Sequence, residues 1–399
     1  MKIAFVSNDF YDPTNPDSWS GLPYFIHRAL GECGVESECV RLRDPARALT
    51  VFNYAYYRYF RKLRYVGACD RLVLKSYARQ LDRRLVELQV DVVFSPSSRL
   101  IAYSRTKLPV VFWTDACFAS MVGFYQSFAD LSPRTLRDGH HAEQSALDVC
   151  TKAIYSSEWA AQTAIACYKV PPAKISVVPF GANLVERPAA REVEAMIQQR
   201  SASRCELTLV GVDWKRKGVD QAIQVAQLLN ERGVPTRLTV VGCRPPAGAF
   251  LPDCVELVPY LAKNSPAGRK GLNAIYARSH FLIVPSLAEA YGLVFAEAGA
   301  FGVPSLATDV GGIPSIIGND VNGRLFSLHD PADRYADYIC ALWREPARYQ
   351  SLALRSAQEA RERFSWEVSA PAVTAIFEAA RGPLRHPLTH AHRHIHVPA

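Results

Sequence analysis

Short apolar runs alternate with amphipathic stretches along most of the 399-residue chain. Such runs, bounded by polar or turn residues, are typical of strands buried on both faces of a parallel sheet. The pattern predicts ten strands, at residues 3–7, 90–95, 110–113, 153–156 and 175–179, and then at 207–212, 236–241, 254–258, 281–285 and 305–308. With helices between them, these strands predict an α/β protein of two doubly wound, Rossmann-like parallel-sheet domains.

The predicted domain boundary lies where polar residues interrupt this pattern. Residues 186–204 contain Pro188 and no strand pattern, so we interpret them as a linker followed by an edge helix. The predicted domains are therefore residues 1–185 and 186–365. Such sheets bind ligands at the carboxyl ends of their strands, so two facing domains would hold two substrates in the cleft between them.

The C-terminal residues divide into a predicted helix and a tail. An amphipathic pattern at about residues 366–381 predicts the helix, and residues 382–399 have no core pattern. The tail contains five of the ten histidines. Adventitious metal binding and an unstructured extension are both compatible with it, and we assign it no catalytic role.

Composition limits the class of protein. Hydrophobic residues make up 49% of the chain, a soluble globular balance, and no apolar run reaches the roughly 18 residues of a membrane span. The apolar run at residues 3–6 is too short for a signal peptide. Ten cysteines without a Cys-x-x-Cys pair argue against a zinc site and a disulfide framework. We therefore expect a cytoplasmic protein with reduced thiols.

The positive charge is concentrated in one region. Residues 41–90 hold twelve Arg or Lys and four Asp or Glu, a net charge of +8 that equals the net charge of the whole chain. Six tyrosines are interleaved with these charges. The stretch from Arg41 to Arg84 is compatible with peripheral contact to an anionic membrane, with a solvated helix face, or with a receptor for an anionic acceptor. It contains no nucleic-acid-binding motif, so we expect no nucleic acid partner.

Two glutamates in the second half form the most informative motif. The apolar run 281–284 precedes Glu289, a Tyr-Gly pair follows at 291–292, and Glu297 comes eight positions after Glu289. This order predicts a strand, a loop and a helix that begins near Leu293, whose free N–H groups would attract an anion. Carboxylates would repel a phosphate there unless they accept hydrogen bonds from sugar hydroxyls. The motif thus favours a sugar linked to a diphosphate, although two glutamates at this spacing also recur by chance.

Two other loops have residues suited to phosphate. Lys215, Arg216 and Lys217 precede Gly218 between a predicted strand and helix, where cations would neutralise a diphosphate leaving group. Gly21 ends a polar loop before a predicted helix and permits close approach of a phosphate. A solvated loop and an ordinary turn are the alternative interpretations.

The block from strand 281–285 through Glu289, Tyr-Gly, Glu297 and Gly-x-Pro at 302–304 resembles the Glu-x7-Glu signature of retaining GT-B glycosyltransferases of the family-4 group. The resemblance extends from residue 1 to about residue 381. It implies two Rossmann-like domains that face each other across a cleft, with the final helix crossing back onto the N-terminal, acceptor-binding domain. It also implies a nucleotide-sugar donor, without a cofactor or a required metal.

The resemblance also implies roles for individual residues. Glu297 would hold the ribose hydroxyls and Glu289 the donor sugar, while Lys217 would act on the diphosphate. The diphosphate would also be held by Gly21 and by the backbone of Ala290, Tyr291, Gly292 and Leu293. We take Glu289, Lys217 and Asp115 as the catalytic candidates.

The chain departs from the family pattern at three positions. Ser20 replaces the first glycine of a Gly-Gly pair, and Ser315 replaces a glutamate that follows Pro314 in a Gly-Gly-x-Pro loop. Val212 stands where the family has an arginine, so the second cation must be Lys215, Arg216 or a residue elsewhere. We select Arg216, and we interpret Gly312 of the Gly-Gly-x-Pro loop as scaffold that also contacts the donor.

Asp115 follows the predicted strand 110–113, where family members often place a His or Asp near the anomeric carbon. It would orient the acceptor hydroxyl or stabilise positive charge that develops on the sugar. An N-cap of the next helix is the alternative.

The expected reaction moves a sugar from a UDP-, GDP- or ADP-linked donor to a carbohydrate or lipid-linked acceptor. Polysaccharide, lipopolysaccharide and glycolipid assembly are all compatible with it. A GT-B-fold nucleotide-sugar epimerase and a non-catalytic nucleotide-sugar-binding protein are the rival hypotheses.

Overall fold

The computed structural model describes residues 1–44 and 47–382. The histidine-rich tail predicted from residue 382 onward therefore lies, apart from Gly382 itself, outside the described residues. In the described part of the chain, no helix combines the length and the apolar character needed to cross a bilayer.

The first half forms one parallel sheet of six strands. In chain order they are β1 (Lys2–Ser7), β2 (Glu36–Arg41), β3 (Val92–Ser95), β4 (Val110–Thr114), β5 (Lys152–Tyr155) and β6 (Ile175–Val177). Their spatial order is β2-β1-β3-β4-β5-β6, and every neighbouring pair is parallel.

The second half forms another parallel sheet of six strands. They are β7 (Cys205–Val210), β8 (Thr236–Val241), β9 (Val255–Val258), β10 (Phe281–Val284), β11 (Ser305–Thr308) and β12 (Gly323–Phe326). Their order is β12-β11-β10-β7-β8-β9, again parallel throughout. The predicted fold class, two doubly wound α/β domains, is confirmed.

Helices connect the strands and cover the sheets. In the first half they are α1 (Leu22–Glu32), α2 (Arg47–Ala55), α3 (Arg71–Glu87), α4 (Phe118–Met121), α5 (Pro133–Val149) and α6 (Glu158–Cys167). After β6 come α7 (Ala190–Gln199), α8 (Val219–Glu231), α9 (Pro266–Arg278), α10 (Leu293–Gly299), α11 (Ala332–Arg344), α12 (Pro346–Glu362) and α13 (Trp366–Arg381). The predicted boundary at residue 186 falls between β6 and α7.

Sequence reasoning found ten of the twelve strands and missed β2 and β12. Both lie at the outer edge of a sheet and pair on one side only. Only Val40 is buried in β2, and β12 has four residues of which Arg324 and Leu325 are half-buried. Edge strands need not be apolar on both faces, and β2 and β12 lack the continuous apolar pattern that reveals central strands. The other two edge strands, β6 and β9, are apolar enough to have been predicted.

Helix α13 packs against the first half of the chain. It packs against α1, β3 and β4. The ring of Phe377 contacts Phe94 of β3 at 5.3 Å between centroids, and Trp366 contacts Trp113 of β4 at 5.8 Å. Helix α13 therefore connects the second half to the first.

The strand order places one ligand-binding position in each sheet. The order in which the chain adds strands reverses between β1 and β3 in the first sheet and between β7 and β10 in the second. Loops leaving the two central strands then run to opposite faces and open a crevice at the carboxyl end. The loops after β7 and β10, which carry the cations and Glu289, meet at this crevice of the second sheet.

Candidate active site

A cavity of about 360 Å³ lies between the two halves. From the first half it is lined by Trp19, Ser20, Asp115, Tyr125 and Phe180, and from the second by Arg216, Lys217, Lys263, Glu289 and Glu297, among others. Both predicted glutamates and two of the predicted cations therefore share one cavity.

Glu289 accepts hydrogen bonds from two cations of the loop after β7. Its Oε2 lies 3.2 Å from Nη1 of Arg216 and is ion-paired with Nζ of Lys217. Nη1 of Arg216 also donates to the carbonyl of Ala288 at 3.0 Å, which fixes the guanidinium on this loop. Burial alone would raise the pKa of Glu289, but the positive charges of Lys217 and Arg216 lower it below its ordinary value. Glu289 is thus held as a carboxylate.

Arg216 is the cation of this loop that lines the cavity beside Lys217, and its contact with a donor stays a prediction. Lys215 is exposed and does not line the cavity, and Val212, which does, is apolar and 65% exposed. Gly211 is close-packed because a Cβ there would lie 2.7 Å from Cγ of Lys217. The backbone therefore leaves room for the Lys217 side chain to reach Glu289.

Glu297 is almost fully buried in α10, with 1% of its surface exposed, and forms an ion pair with Lys263. Lys263 follows β9, and Arg269 supports it by donating to its backbone carbonyl at 3.0 Å. Sequence reasoning missed Lys263 because it lies 34 positions before Glu297, outside any motif block. Its position after a strand of the second sheet was the available signal.

The loop between β10 and α10 carries Glu289, and we call it the glutamate loop. Its Tyr-Gly turn, Tyr291-Gly292, links it to α10 and to the first half. Gly292 has φ = +94°, and a Cβ there would lie 2.5 Å from the Phe295 ring, so only glycine fits. The hydroxyl of Tyr291 donates to the carbonyl of Phe180 at 2.8 Å. The N–H of Ala290 donates to the hydroxyl of Tyr125 at 2.7 Å. Both bonds cross the cleft and hold the turn in place.

The predicted backbone contacts divide into two groups. Tyr291, Gly292 and Leu293 line the cavity, whereas Ala290 lies outside its lining and its N–H already has a partner. The helix that starts at Leu293 has seven residues. A backbone contact of Ala290 with a donor remains a prediction and requires that the Tyr125 hydrogen bond break.

Gly21 and its neighbours form a strained turn at the edge of the cavity. Trp19, Ser20 and Gly21 have φ values of +43°, +59° and +82° in succession. Ser20, which replaces the first family glycine, therefore adopts the left-handed conformation that glycine favours, at a cost of roughly 1–2 kcal/mol. Trp19, Ser20 and Leu22 line the cavity, whereas Gly21, the N-cap of α1, does not.

Gly312 supports the glutamate loop from behind. Its N–H donates to the carbonyl of Glu289 at 3.0 Å, and a Cβ there would clash with the carbonyl oxygen of Ala290. Gly312 does not line the cavity. The scaffold role is therefore visible in the structure, and a direct donor contact remains a prediction.

Asp115 lies where the first cavity meets a second one, of about 580 Å³, in the first half. The N-cap alternative is wrong, because α4 is capped by Cys117. Burial raises the pKa of Asp115 to about 6, and the negative charge of Glu289 adds to the effect.

The second cavity lies at the carboxyl ends of β1, β3 and β4. Its lining includes Asn8, Tyr11, Tyr77, Arg99, Asp115 and Glu143, and it shares Trp19 and Tyr125 with the first cavity. Burial raises the pKa of Glu143 to about 7, although hydrogen bonds from Ser98 Oγ at 2.9 Å and the Phe118 N–H at 3.1 Å oppose the shift. Sequence reasoning missed Arg99 and Glu143 because neither belongs to a motif.

Among residues 1–44 and 47–382, no group of three or more His, Cys, Asp or Glu side chains has an arrangement suited to a metal ion.

The chain matches two protein-family models that do not overlap. Residues 24–186 match Glycosyltransferase Family 4, and residues 204–345 match Glycosyl transferases group 1. Both halves of the chain therefore match models of glycosyltransferase domains.

Known proteins resemble the chain in sequence and in fold. It is 29% identical over 246 residues to a D-inositol 3-phosphate glycosyltransferase of Mycobacterium avium, an alignment that covers 60% of this chain and 57% of that one. The chain thus spans little more than half the length of this relative. Among solved structures, sucrose-phosphate synthase from Thermosynechococcus elongatus superposes with a TM-score of 0.71 at 17% identity, over 94% of this chain and 98% of that chain. Anabaena HepE, described in complex with UDP-glucose, gives 0.62 at 14% identity, over 95% and 100%. These structures share the GT-B fold.

Proposed function

We propose that the protein is a retaining glycosyltransferase that moves a sugar from a nucleotide-diphosphate donor to an acceptor hydroxyl. The observation that carries the proposal is the joint presence of Glu289, Glu297 and three cations in one cavity between two halves that match models of glycosyltransferase domains. Carboxylates bind hydroxyl groups and cations bind phosphate oxygens, so this combination fits a sugar nucleotide better than either a neutral sugar or a simple phosphate.

In the donor complex, Glu297 would accept hydrogen bonds from the ribose hydroxyls and Glu289 from the sugar. The diphosphate would take over the cations Lys217, Arg216 and Lys263, which now neutralise the two carboxylates. A ligand that supplies both hydroxyls and negative charge can replace each ion pair without leaving a buried charge unpaired. The cations would also stabilise the diphosphate as it leaves, which is why we propose a reaction that requires no metal ion.

The acceptor would occupy the second cavity, with its reacting hydroxyl beside Asp115 at the junction. The bond between the anomeric carbon and the diphosphate oxygen breaks, and a bond from that carbon to the acceptor oxygen forms on the same face. The acceptor proton passes to the departing diphosphate oxygen. Asp115 would orient the hydroxyl and stabilise positive charge on the sugar, since it lines both cavities.

Similar proteins support a choice of first substrates. HepE, which shares the fold, is described in complex with UDP-glucose, and the Mycobacterium avium relative is named for a phosphorylated inositol. We therefore propose UDP-linked sugars as the first donors to test, before GDP- and ADP-linked ones. A carbohydrate or a lipid-linked molecule is the proposed acceptor, and the cytoplasm the proposed location.

The test is a reaction of the purified protein with a set of nucleotide sugars and an acceptor panel. We expect transfer from one donor class, and NMR should show that the anomeric configuration of the donor is retained in the product. An inverted product would contradict the retaining mechanism. An altered donor sugar without acceptor would instead indicate an epimerase, and binding without hydrolysis or transfer a non-catalytic protein.

A further inference from the structure

Residues 51–60 expose an unusual concentration of apolar side chains. Of the seventeen large hydrophobic side chains exposed in the described chain, six lie in these ten residues. Phe52 is 68% exposed, Tyr59 75% and Phe60 80%. Scattered exposed apolar residues are normal on soluble proteins, but a contiguous group marks an interaction surface.

The outer side of this segment exposes aromatic rings, and its inner side packs against the protein. Helix α2 continues into a π-helix at Tyr56–Arg61, and the Tyr56 and Phe60 rings are stacked with centroids 6.1 Å apart. On the inner side, Tyr57 stacks on the buried Tyr65 at 5.8 Å, and the Tyr65 hydroxyl donates to Asp70 at 2.6 Å. The outer aromatics are therefore held in place rather than left on a loose loop.

The charge of the segment selects one class of partner. No acidic residue occurs between Asp44 and Asp70, and Arg58, Arg61 and Lys62 are exposed among the aromatics. A solvated helix face does not need exposed phenylalanine, and an acceptor site would be concave. Aromatic side chains with cations and without acids match the interface of an anionic lipid bilayer, where rings enter the headgroup region and cations meet lipid phosphates.

Helix α2, which leads into the segment, packs against the wall of the second cavity. Thr50 of α2 packs on Gly67 so closely that a Cβ there would lie 2.5 Å from Cγ2 of Thr50. Gly67 stands between Val66 and Ala68, which both line the second cavity. Whatever surface the segment meets is therefore close to that cavity.

We propose that residues 51–62, which we term the aromatic-basic segment, dock the protein on an anionic lipid bilayer. Docking would bring the second cavity next to the bilayer. Only this consequence rests on the proposed function, because it would then favour a lipid-linked acceptor. Docking itself requires no sugar transfer and can be tested without it.

The experiment is co-sedimentation with vesicles of phosphatidylcholine alone and of phosphatidylcholine mixed with phosphatidylglycerol. We expect the wild-type protein to bind the mixed vesicles and to be released by salt. Phe52→Ser combined with Phe60→Ser should weaken binding roughly tenfold or more. Arg58→Gln, Arg61→Gln and Lys62→Gln together should weaken it roughly a hundredfold. Equal sedimentation with both vesicle types would overturn the proposal.

Matched variants elsewhere on the surface keep the test specific. Phe250→Ser removes a ring that is 87% exposed, and Arg191→Gln, Lys270→Gln and Arg355→Gln remove three exposed cations outside the segment. Both controls should bind vesicles like the wild type, and an equal loss in them would contradict docking through the segment. Light scattering of the lipid-free protein tests the alternative that a second copy of the chain binds the segment. Self-association that the Phe52 and Phe60 substitutions abolish, without vesicle binding, would show that a second copy covers the segment and would overturn the proposal.

Discussion

Buried carboxyl groups of the two cavities have pKa values shifted in opposite directions. In the first, Glu289 is surrounded by Lys217 and Arg216, and its pKa lies below the ordinary value. In the second, burial raises the pKa of Asp115 to about 6 and of Glu143 to about 7, because the positive charge of Arg99 offsets only part of their lost hydration. The neighbouring cations, and not burial alone, therefore decide whether a buried carboxylate remains charged.

The difference fits two different ligands. A cavity of paired charges is ready for a ligand that is itself charged, because each pair can be exchanged for a contact with the ligand. A cavity of weakly acidic carboxyl groups suits a ligand whose hydroxyls donate and accept hydrogen bonds. The first is the proposed donor site and the second the proposed acceptor site.

The largest expected effect comes from Lys217→Ala, which breaks the pairing in the first cavity. Turnover with the donor found in the screen should fall by about 2–4 kcal/mol of transition-state stabilisation, because the leaving diphosphate loses a preorganised cation. Steady-state kinetics measure it. Lys215→Ala, which removes an exposed neighbour outside the cavity, should leave the rate unchanged. A wild-type rate in the Lys217 variant would refute its role.

A smaller effect is expected from Glu143→Gln, which removes a titrating group from the second cavity. The pKa of Glu143 is raised from 4.5 to about 7 in the folded protein, so the folded state binds this proton more tightly than the unfolded chain. The free energy of unfolding should therefore fall as the pH rises between these values, by about 2–3 kcal/mol. Glu143→Gln should remove that fall.

Urea unfolding at a series of pH values measures the Glu143 effect. Glu362→Gln, at an exposed position of α12, should keep the wild-type pH dependence. An unchanged pH dependence in Glu143→Gln would mean that Glu143 is not the titrating group.

The smallest effect is expected from Gly312→Ala, which tests the support of the first cavity. A Cβ there would meet the Ala290 carbonyl, so the glutamate loop must shift and the protein should lose about 1–2 kcal/mol of stability. Gly31→Ala, where a Cβ meets open space inside α1, should cost nothing. Equal thermal midpoints for both variants would contradict the packing role.

Sequence reasoning recovered the first cavity better than the second for a physical reason. The residues of the first cavity that were predicted lie mainly on two loops at one crevice, so strand, loop and helix signals stand together in the sequence around Lys217 and Glu289. Arg99 and Glu143 come from separate elements and become neighbours only through packing. Lys263 was missed for the same reason, because it becomes a neighbour of the buried Glu297 only in the folded protein.

The fold followed a similar rule. Central strands such as β4 are buried along their whole length, and their apolar runs predicted them, whereas the edge strand β2 exposes most of its side chains. The local apolar pattern revealed the central strands and the edge strands β6 and β9, but not the more polar β2 or the short β12. Position at an edge is a property of the assembled sheet.

The most direct test of the account is the affinity of nucleotide sugars for wild-type protein and for Glu297→Gln, measured by calorimetry. We expect one nucleotide-sugar class to bind the wild type and the variant to lose roughly tenfold to a hundredfold in affinity, because one charged hydrogen-bond acceptor for the ribose is removed. Glu231→Gln, at the exposed end of α8, should bind like the wild type. Unchanged affinity in Glu297→Gln for every nucleotide sugar that binds would contradict the central claim.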